Sequence, residues 1–152
     1  MKKIYIKEEA CIGCHLCEVY CQVEHSSSKD LIKSFKREFP RPLPLLNVEK
    51  KSPVSFSVRC RHCSEPRCVY ACLTGALSRE PGSGLVTVDS DRCIGCWTCI
   101  LACPFGVIKQ DTYHGRITKC DLCGGKDMPA CVANCPNEAL VYIEEKEAVT
   151  AK

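Results

Sequence analysis

The sequence predicts an α+β protein of small antiparallel sheets and short helices, and two observations carry that expectation. First, 16 of its 152 residues are cysteine, and all of them fall into four groups of four. Second, each group repeats one local order: a short β-branched run, three closely spaced cysteines, a fourth in a brief helical turn, then a link of small residues. Alternating apolar and polar residues in the runs fit strands with one buried face. In order, the strands are expected at Lys3-Ile4-Tyr5-Ile6-Lys7, Val54-Ser55-Phe56-Ser57-Val58, Leu85-Val86-Thr87-Val88-Asp89 and Arg116-Ile117-Thr118-Lys119, each ahead of a cysteine group. A last strand is expected at Ala139-Leu140-Val141-Tyr142-Ile143-Glu144, and the charged tail from Glu145 to Lys152 is expected to fray.

The groups are Cys11, Cys14, Cys17 and Cys21; Cys60, Cys63, Cys68 and Cys72; Cys93, Cys96, Cys99 and Cys103; and Cys120, Cys123, Cys131 and Cys135. The first and third share the spacing C-x2-C-x2-C-x3-C, the bacterial ferredoxin signature. Three thiolates at this spacing wrap one face of a [4Fe–4S] cubane, and the fourth, followed by proline in Cys103-Pro104 and Cys135-Pro136, serves a neighbouring cluster. The expectation is therefore four [4Fe–4S] clusters, with all sixteen cysteines as metal ligands. Small sheets suffice because clusters replace much of the core.

A cysteine share above about 8–10% also marks disulfide scaffolds. Those need an oxidising compartment. The start, Met1 to Glu8, has no apolar run and no twin arginine, and no stretch approaches the roughly 18 apolar residues of a membrane helix. The reading is a soluble, cytoplasmic chain without direct membrane insertion, whose reduced thiols bind metal. The excess of 21 lysines and arginines over 18 acids gives a formal charge of +3. Four thiolate-ligated [4Fe–4S]²⁺ cores at about −2 each would carry the loaded chain to about −5. That balance argues against a nucleic-acid partner.

Residues 22–52 form the one long segment before the second group, with a basic middle, Lys29 to Phe39, and an extended Pro40-Arg41-Pro42-Leu43-Pro44. It reads as an inserted loop over the clusters, or alternatively as a docking arm for a partner enzyme. Within the triplets, Gly13 and Gly95 let the backbone turn its amides towards sulfur, and Ile12 and Ile94 shield the cluster. His15, Trp97 and His62 are read as packing or solvent-facing rather than tuning. Lys109, Arg116 and Lys119 either balance cluster charge or form a solvated face. No nucleotide-binding glycine loop is present, Gly124-Gly125 belongs to a cysteine turn, and Ser26-Ser27-Ser28 lacks a nucleophile setting. The catalytic set is empty, so the chain reads as an electron carrier, not an enzyme. The rival reading is a zinc-binding structural or nucleic-acid-binding module built on C-x2-C knuckles, although the tight triplets would crowd such sites.

Cys60-Arg61-His62-Cys63, Cys68 to Leu77, Cys93-Ile94-Gly95-Cys96-Trp97-Thr98-Cys99 and Ala102-Cys103-Pro104-Phe105-Gly106 resemble the four-cluster polyferredoxin electron-transfer subunits. The closest likeness is to the iron–sulfur protein associated with anaerobic carbon monoxide dehydrogenase, with the small polyferredoxin subunit of tungsten aldehyde oxidoreductases next. The resemblance implies two bacterial-ferredoxin-like halves, residues 1–52 with 114–152 and residues 53–113. It also implies cross-paired ligands: Cys11, Cys14 and Cys17 with Cys135; Cys120, Cys123 and Cys131 with Cys21; Cys60, Cys63 and Cys68 with Cys103; and Cys93, Cys96 and Cys99 with Cys72. The implied function is low-potential electron transfer in anaerobic metabolism. Its implied partners are a carbon monoxide dehydrogenase, aldehyde oxidoreductase or formate dehydrogenase on one side and a hydrogenase, flavoprotein or ferredoxin on the other, with self-association as a further option. The chain departs from larger relatives in its short Cys123–Cys131 interval and in lacking a C-terminal membrane-anchoring extension, which makes a membrane complex less expected.

Overall fold

The structure, a computed structural model, describes residues 2–144; the tail expected to fray lies outside the described residues. Four two-stranded antiparallel sheets carry the fold. The first brings the chain ends together: β1 (Lys2–Ile6) pairs with β8 (Leu140–Glu144), Ile6 opposite Leu140. The other three are hairpins, β2 (Leu46–Lys51) with β3 (Val54–Arg59), β4 (Leu77–Arg79) with β5 (Val86–Val88), and β6 (Lys109–Asp111) with β7 (Arg116–Thr118).

Among the described residues a 3-10 helix at Glu8–Ala10 and five short α-helices complete the fold: α1 (Leu16–Glu24), α2 (Leu31–Lys36), α3 (Arg67–Tyr70), α4 (Thr98–Ala102) and α5 (Ala130–Ala133). Pro66 and Pro129 directly precede α3 and α5, where a missing N–H costs nothing. The segment Leu122–Gly125 is a left-handed turn, with Leu122, Cys123, Gly124 and Gly125 all at positive φ. Segment 22–52, expected as a loop or arm, is largely structured. It holds the end of α1, the whole of α2, capped by the Asp30 carboxylate accepting from the Lys33 N–H at 2.8 Å, and β2.

Two cores form, and cysteines belong to both. One gathers Ile4, Leu45, Leu46 and Leu140 with Cys17, Cys21, Cys120 and Cys131; the other gathers Leu77, Val86, Ile108 and Ile117 with Cys99. The expected boundaries at 52/53 and 113/114 each fall inside a hairpin turn. Leu46 and Val48 put the β2–β3 hairpin on the first core, and Ile117 puts β6–β7 on the second.

One strand reverses the expected facing. In β3 the buried residues are Ser55, Ser57 and Arg59, while Val54 is exposed and Phe56 and Val58 are half-buried. The inward neighbours of this strand are cysteine motifs, which need small groups, donors and cations. The Ser55 hydroxyl donates to the Cys11 carbonyl at 2.7 Å.

The β6–β7 turn sits hard against the third cysteine group. Gly95 has φ of 67°, and a Cβ there would stand 2.2 Å from the Gly115 carbonyl oxygen. Gly106 shares the left-handed conformation but has open space around it. Gly106→Ala is therefore expected to cost about 1–2 kcal/mol from backbone strain alone, and Gly95→Ala clearly more. Anaerobic thermal melts should rank wild type above Gly106→Ala above Gly95→Ala; equal melting temperatures for the two variants would contradict this close approach.

Candidate metal-cluster site

The thiols converge in sets that mix motifs. Cys11 and Cys14, on the loop leading into α1, and Cys17, in its first turn, line one pocket together with Cys135, which follows α5. Cys93 and Cys96, on the loop leading into α4, and Cys99, in its first turn, line a second pocket together with Cys72, which follows α3. The remaining eight act on one another electrostatically, across sets as well as within them. Burial, then Cys120, Cys131 and Cys123, drives the Cys21 thiol far above its ordinary pKa. Cys60 is raised by burial and by Cys103 and Cys63, and Cys68 by burial, Cys60 and Cys103.

Backbone geometry explains how short motifs achieve this. Gly13 and Gly95 are left-handed, and so are His15 and Trp97, the residues that open α1 and α4. Two left-handed residues around the middle cysteine turn the triplet about one volume; non-glycine residues seldom adopt this conformation. His15 is exposed and pairs with Glu18 at 2.9 Å, while Trp97 packs on the second core. In the fourth group the same work is done by the run of positive φ from Leu122 to Gly125.

The thiols are held where they resist ionising on their own. Burial raises Cys17, Cys99 and Cys120 to about 11 and Cys131 to about 12. Local donors and the charges of Arg59 and Lys119 oppose this. The Leu45 N–H donates to the Cys21 sulfur at 3.3 Å. For Cys72, burial is outweighed by the amides of Leu77, Thr74 and Ala76 and the Thr74 hydroxyl, so its pKa falls. The Thr98 hydroxyl, 3.5 Å from the Cys96 sulfur, lowers that thiol too.

Two buried cations stand among the sets. Arg59 is 8% exposed, burial lowers its pKa, and Cys131, Cys120 and Cys17 oppose that fall. Lys119 is 4% exposed; its ammonium donates to the Val86 carbonyl and, at 2.8 Å, to the Cys120 carbonyl, and it eases ionisation of Cys60, Cys68 and Cys120. Of the two sequence readings of Lys119, charge balance fits this position and a solvated face does not. Lys109 instead donates to Asn47 Oδ1, and Arg116 lines a surface cleft with Arg37 and Arg41. His25 stands with Nδ1 2.7 Å from the Cys21 carbonyl oxygen and Nε2 3.0 Å from Asp121 Oδ1; burial disfavours the charged ring, but these two acceptors outweigh it and raise its pKa.

His62 corrects the expectation that it merely packs. The Val86 N–H donates to its Nδ1 at 3.1 Å, so the neutral ring carries its proton on Nε2, and that buried nitrogen has no partner. Burial, then the Lys119 charge, holds its pKa at about 3, which keeps the ring neutral. An orphaned buried donor is costly. Ser57 is the second such group.

These residues fit iron–sulfur clusters: four-thiol sets around open volumes, cations without carboxylate partners, and donors lacking acceptors. Sequence reasoning found every cysteine and missed Ser55, Ser57 and Arg59. The signal for them was present in the alternation Val54-Ser55-Phe56-Ser57-Val58-Arg59, which has a polar face as regular as its apolar one.

Fold and site together define an iron–sulfur protein. A family model described as a 4Fe–4S dicluster domain matches residues 53–145, and one described as a 4Fe–4S binding domain matches residues 8–24. The chain belongs to this family of 4Fe–4S electron-transport proteins. It is 36% identical to electron transport protein HydN of Escherichia coli K12 over 90% of this chain and 85% of that one. It is 35% identical to an iron-sulfur protein of Rhodospirillum rubrum, covering 93% and 81%, and 35% identical to thiosulfate reductase electron transfer subunit PhsB of Salmonella typhi, covering 92% and 75%. Electron transfer without catalysis is thus its role. Among the described residues no helix is long and apolar enough to cross a membrane.

Lys119→Met removes the donor from two carbonyls and the cation from between three thiols. It is expected to cost about 2–4 kcal/mol, from two lost charge-assisted hydrogen bonds, read as a melting temperature several degrees lower in anaerobic protein. An unchanged melting temperature would show that the ammonium is dispensable.

Proposed function

We propose that the chain is a four-cluster electron carrier linking a redox enzyme to a downstream acceptor. The observation that carries this reading is that each of the two pockets is lined by three thiols of one motif and the fourth thiol of another. The ligand sets follow: Cys11, Cys14, Cys17 and Cys135; Cys21, Cys120, Cys123 and Cys131; Cys60, Cys63, Cys68 and Cys103; Cys72, Cys93, Cys96 and Cys99. A [4Fe–4S] cluster, when bound, supplies one-electron exchange. The protein supplies the order in space.

Shared elements set that order. α1 carries Cys17 and Cys21, joining the first set to the second. Cys60 and Cys120 act on each other, and Lys119 acts on both, joining the second to the third. α3 and α4, which pack together, carry Cys68 with Cys72 following and Cys99 with Cys103 following, joining the third to the fourth. At the two ends Cys14 and Cys96 are exposed beside exposed Ile12 and Ile94. This arrangement supports a row with a docking point at each end, in two ferredoxin-like halves.

PhsB, an electron transfer subunit of thiosulfate reductase, supports an oxidoreductase as one partner. The sequence resemblance favours the carbon monoxide dehydrogenase or aldehyde oxidoreductase type, with a hydrogenase, flavoprotein or ferredoxin as acceptor.

Metal analysis of anaerobically purified protein tests the reading. Iron and acid-labile sulfide are each expected near about 16 per chain, with coupled EPR signals after dithionite reduction; zinc near about four with little iron would overturn it. Cys103→Ser should then damage the centre held by Cys60, Cys63 and Cys68 and spare that of Cys93, Cys96 and Cys99. Damage confined to the latter would sink the cross-pairing.

A further inference from the structure

We infer that the Ser57 hydroxyl donates a hydrogen bond to sulfur in the cavity of Cys11, Cys14, Cys17 and Cys135, and that this bond raises the reduction potential of the centre held there. The inference rests on the cluster reading above and adds a residue outside the cysteine motifs.

Ser57 lies on β3, opposite Val48 of β2, and turns inward although its strand neighbours Phe56 and Val58 are the apolar ones. It is 5% exposed and lines the cavity of this thiol set. Its Oγ is buried and completes no hydrogen bond within the protein. Ser55, two residues earlier on the same face, is satisfied by the Cys11 carbonyl at 2.7 Å. The β3 face is therefore able to serve this motif, and Ser57 is the member whose acceptor is missing. A buried hydroxyl without a partner costs about 1–3 kcal/mol, and a sulfur in the cavity removes that cost.

The position is built. Gly13 is left-handed and packs on Ser55, a Cβ there meeting the Ser55 Cβ at 3.2 Å, which holds the strand against the cysteine loop. Hydrogen bonds to sulfur are among the quantities that set a cluster's potential. Reduction adds an electron whose charge spreads onto sulfur, so a donor there binds the reduced form more tightly. Removing it disfavours reduction.

Potentiometric EPR on anaerobic holoprotein tests this in wild type, Ser57→Ala and Ser57→Thr. The centre concerned is identified as the one whose signal changes in Cys14→Ser. Ser57→Ala should keep wild-type iron and sulfide while reduction at that centre becomes about tenfold less favourable, a midpoint lower by about 59 mV for one electron; Ser57→Thr, which keeps the hydroxyl, should stay near wild type. Pulsed EPR in D₂O should show an exchangeable deuteron coupled to that centre in wild type and not in Ser57→Ala. The inference is overturned if Ser57→Ala leaves every midpoint unmoved, moves that of another centre, shifts equally with Ser57→Thr, or loses iron. Wild-type protein lacking iron would overturn the cluster reading itself, before any variant is made.

Discussion

A thiol buried beside others ionises only if something positive enters the space between them, and in this fold Cys17, Cys21, Cys99, Cys120 and Cys131 are buried under that constraint. Burial lifts Cys17, Cys99, Cys120 and Cys131 to about 11 or 12, and the residues around them offer too few donors to bring them back. Both cores are assembled from cysteine as much as from leucine and isoleucine. Without occupants the cavities would leave the four small sheets little to pack on, because metal binding in such proteins is part of the folding free energy. The helices are correspondingly short: the longest, α1, carries both Cys17 and Cys21 and so belongs to two thiol sets.

The charge problem is then solved from within. Among the described residues Arg59 and Lys119 are buried without carboxylate partners, which an ordinary core seldom tolerates. Among thiolates they are counter-ions. Lys119 also ties the halves together mechanically, since its ammonium reaches the Val86 carbonyl of one core and the Cys120 carbonyl beside the other. The Val86 N–H is taken by His62. A single residue of β5 thus meets the side chain of His62, within the second cysteine group, and that of Lys119, beside the fourth.

The cysteine spacing made the donor set legible, because ligation fixes residue type and interval together. The strands next to the chain ends were legible for an ordinary reason: Ile4 and Ile6 alternate with Lys3, Tyr5 and Lys7 and are buried or half-buried, and Leu140 opens a β-branched and aromatic run. Residues 54–58 were legible as a strand but not in their facing. An apolar face normally turns inward; here the cavity selects hydroxyls and a guanidinium, and Val54 is left outside. β4 and β6 are three residues long, too short for any periodicity. β2 lies directly behind a proline-rich stretch that hid its pairing with β3. His62 was opaque because only the Val86 amide, 24 positions away, fixes its tautomer and exposes the unmet donor.

The central claim is that thiols of different motifs share each centre. Anomalous diffraction at the iron edge from anaerobically grown crystals tests it most directly. The account predicts four separate iron sites, one bounded by Cys11, Cys14, Cys17 and Cys135 and another by Cys72, Cys93, Cys96 and Cys99. Centres each bounded by the four consecutive cysteines of one motif, or peaks that answer to the zinc edge instead, would contradict it.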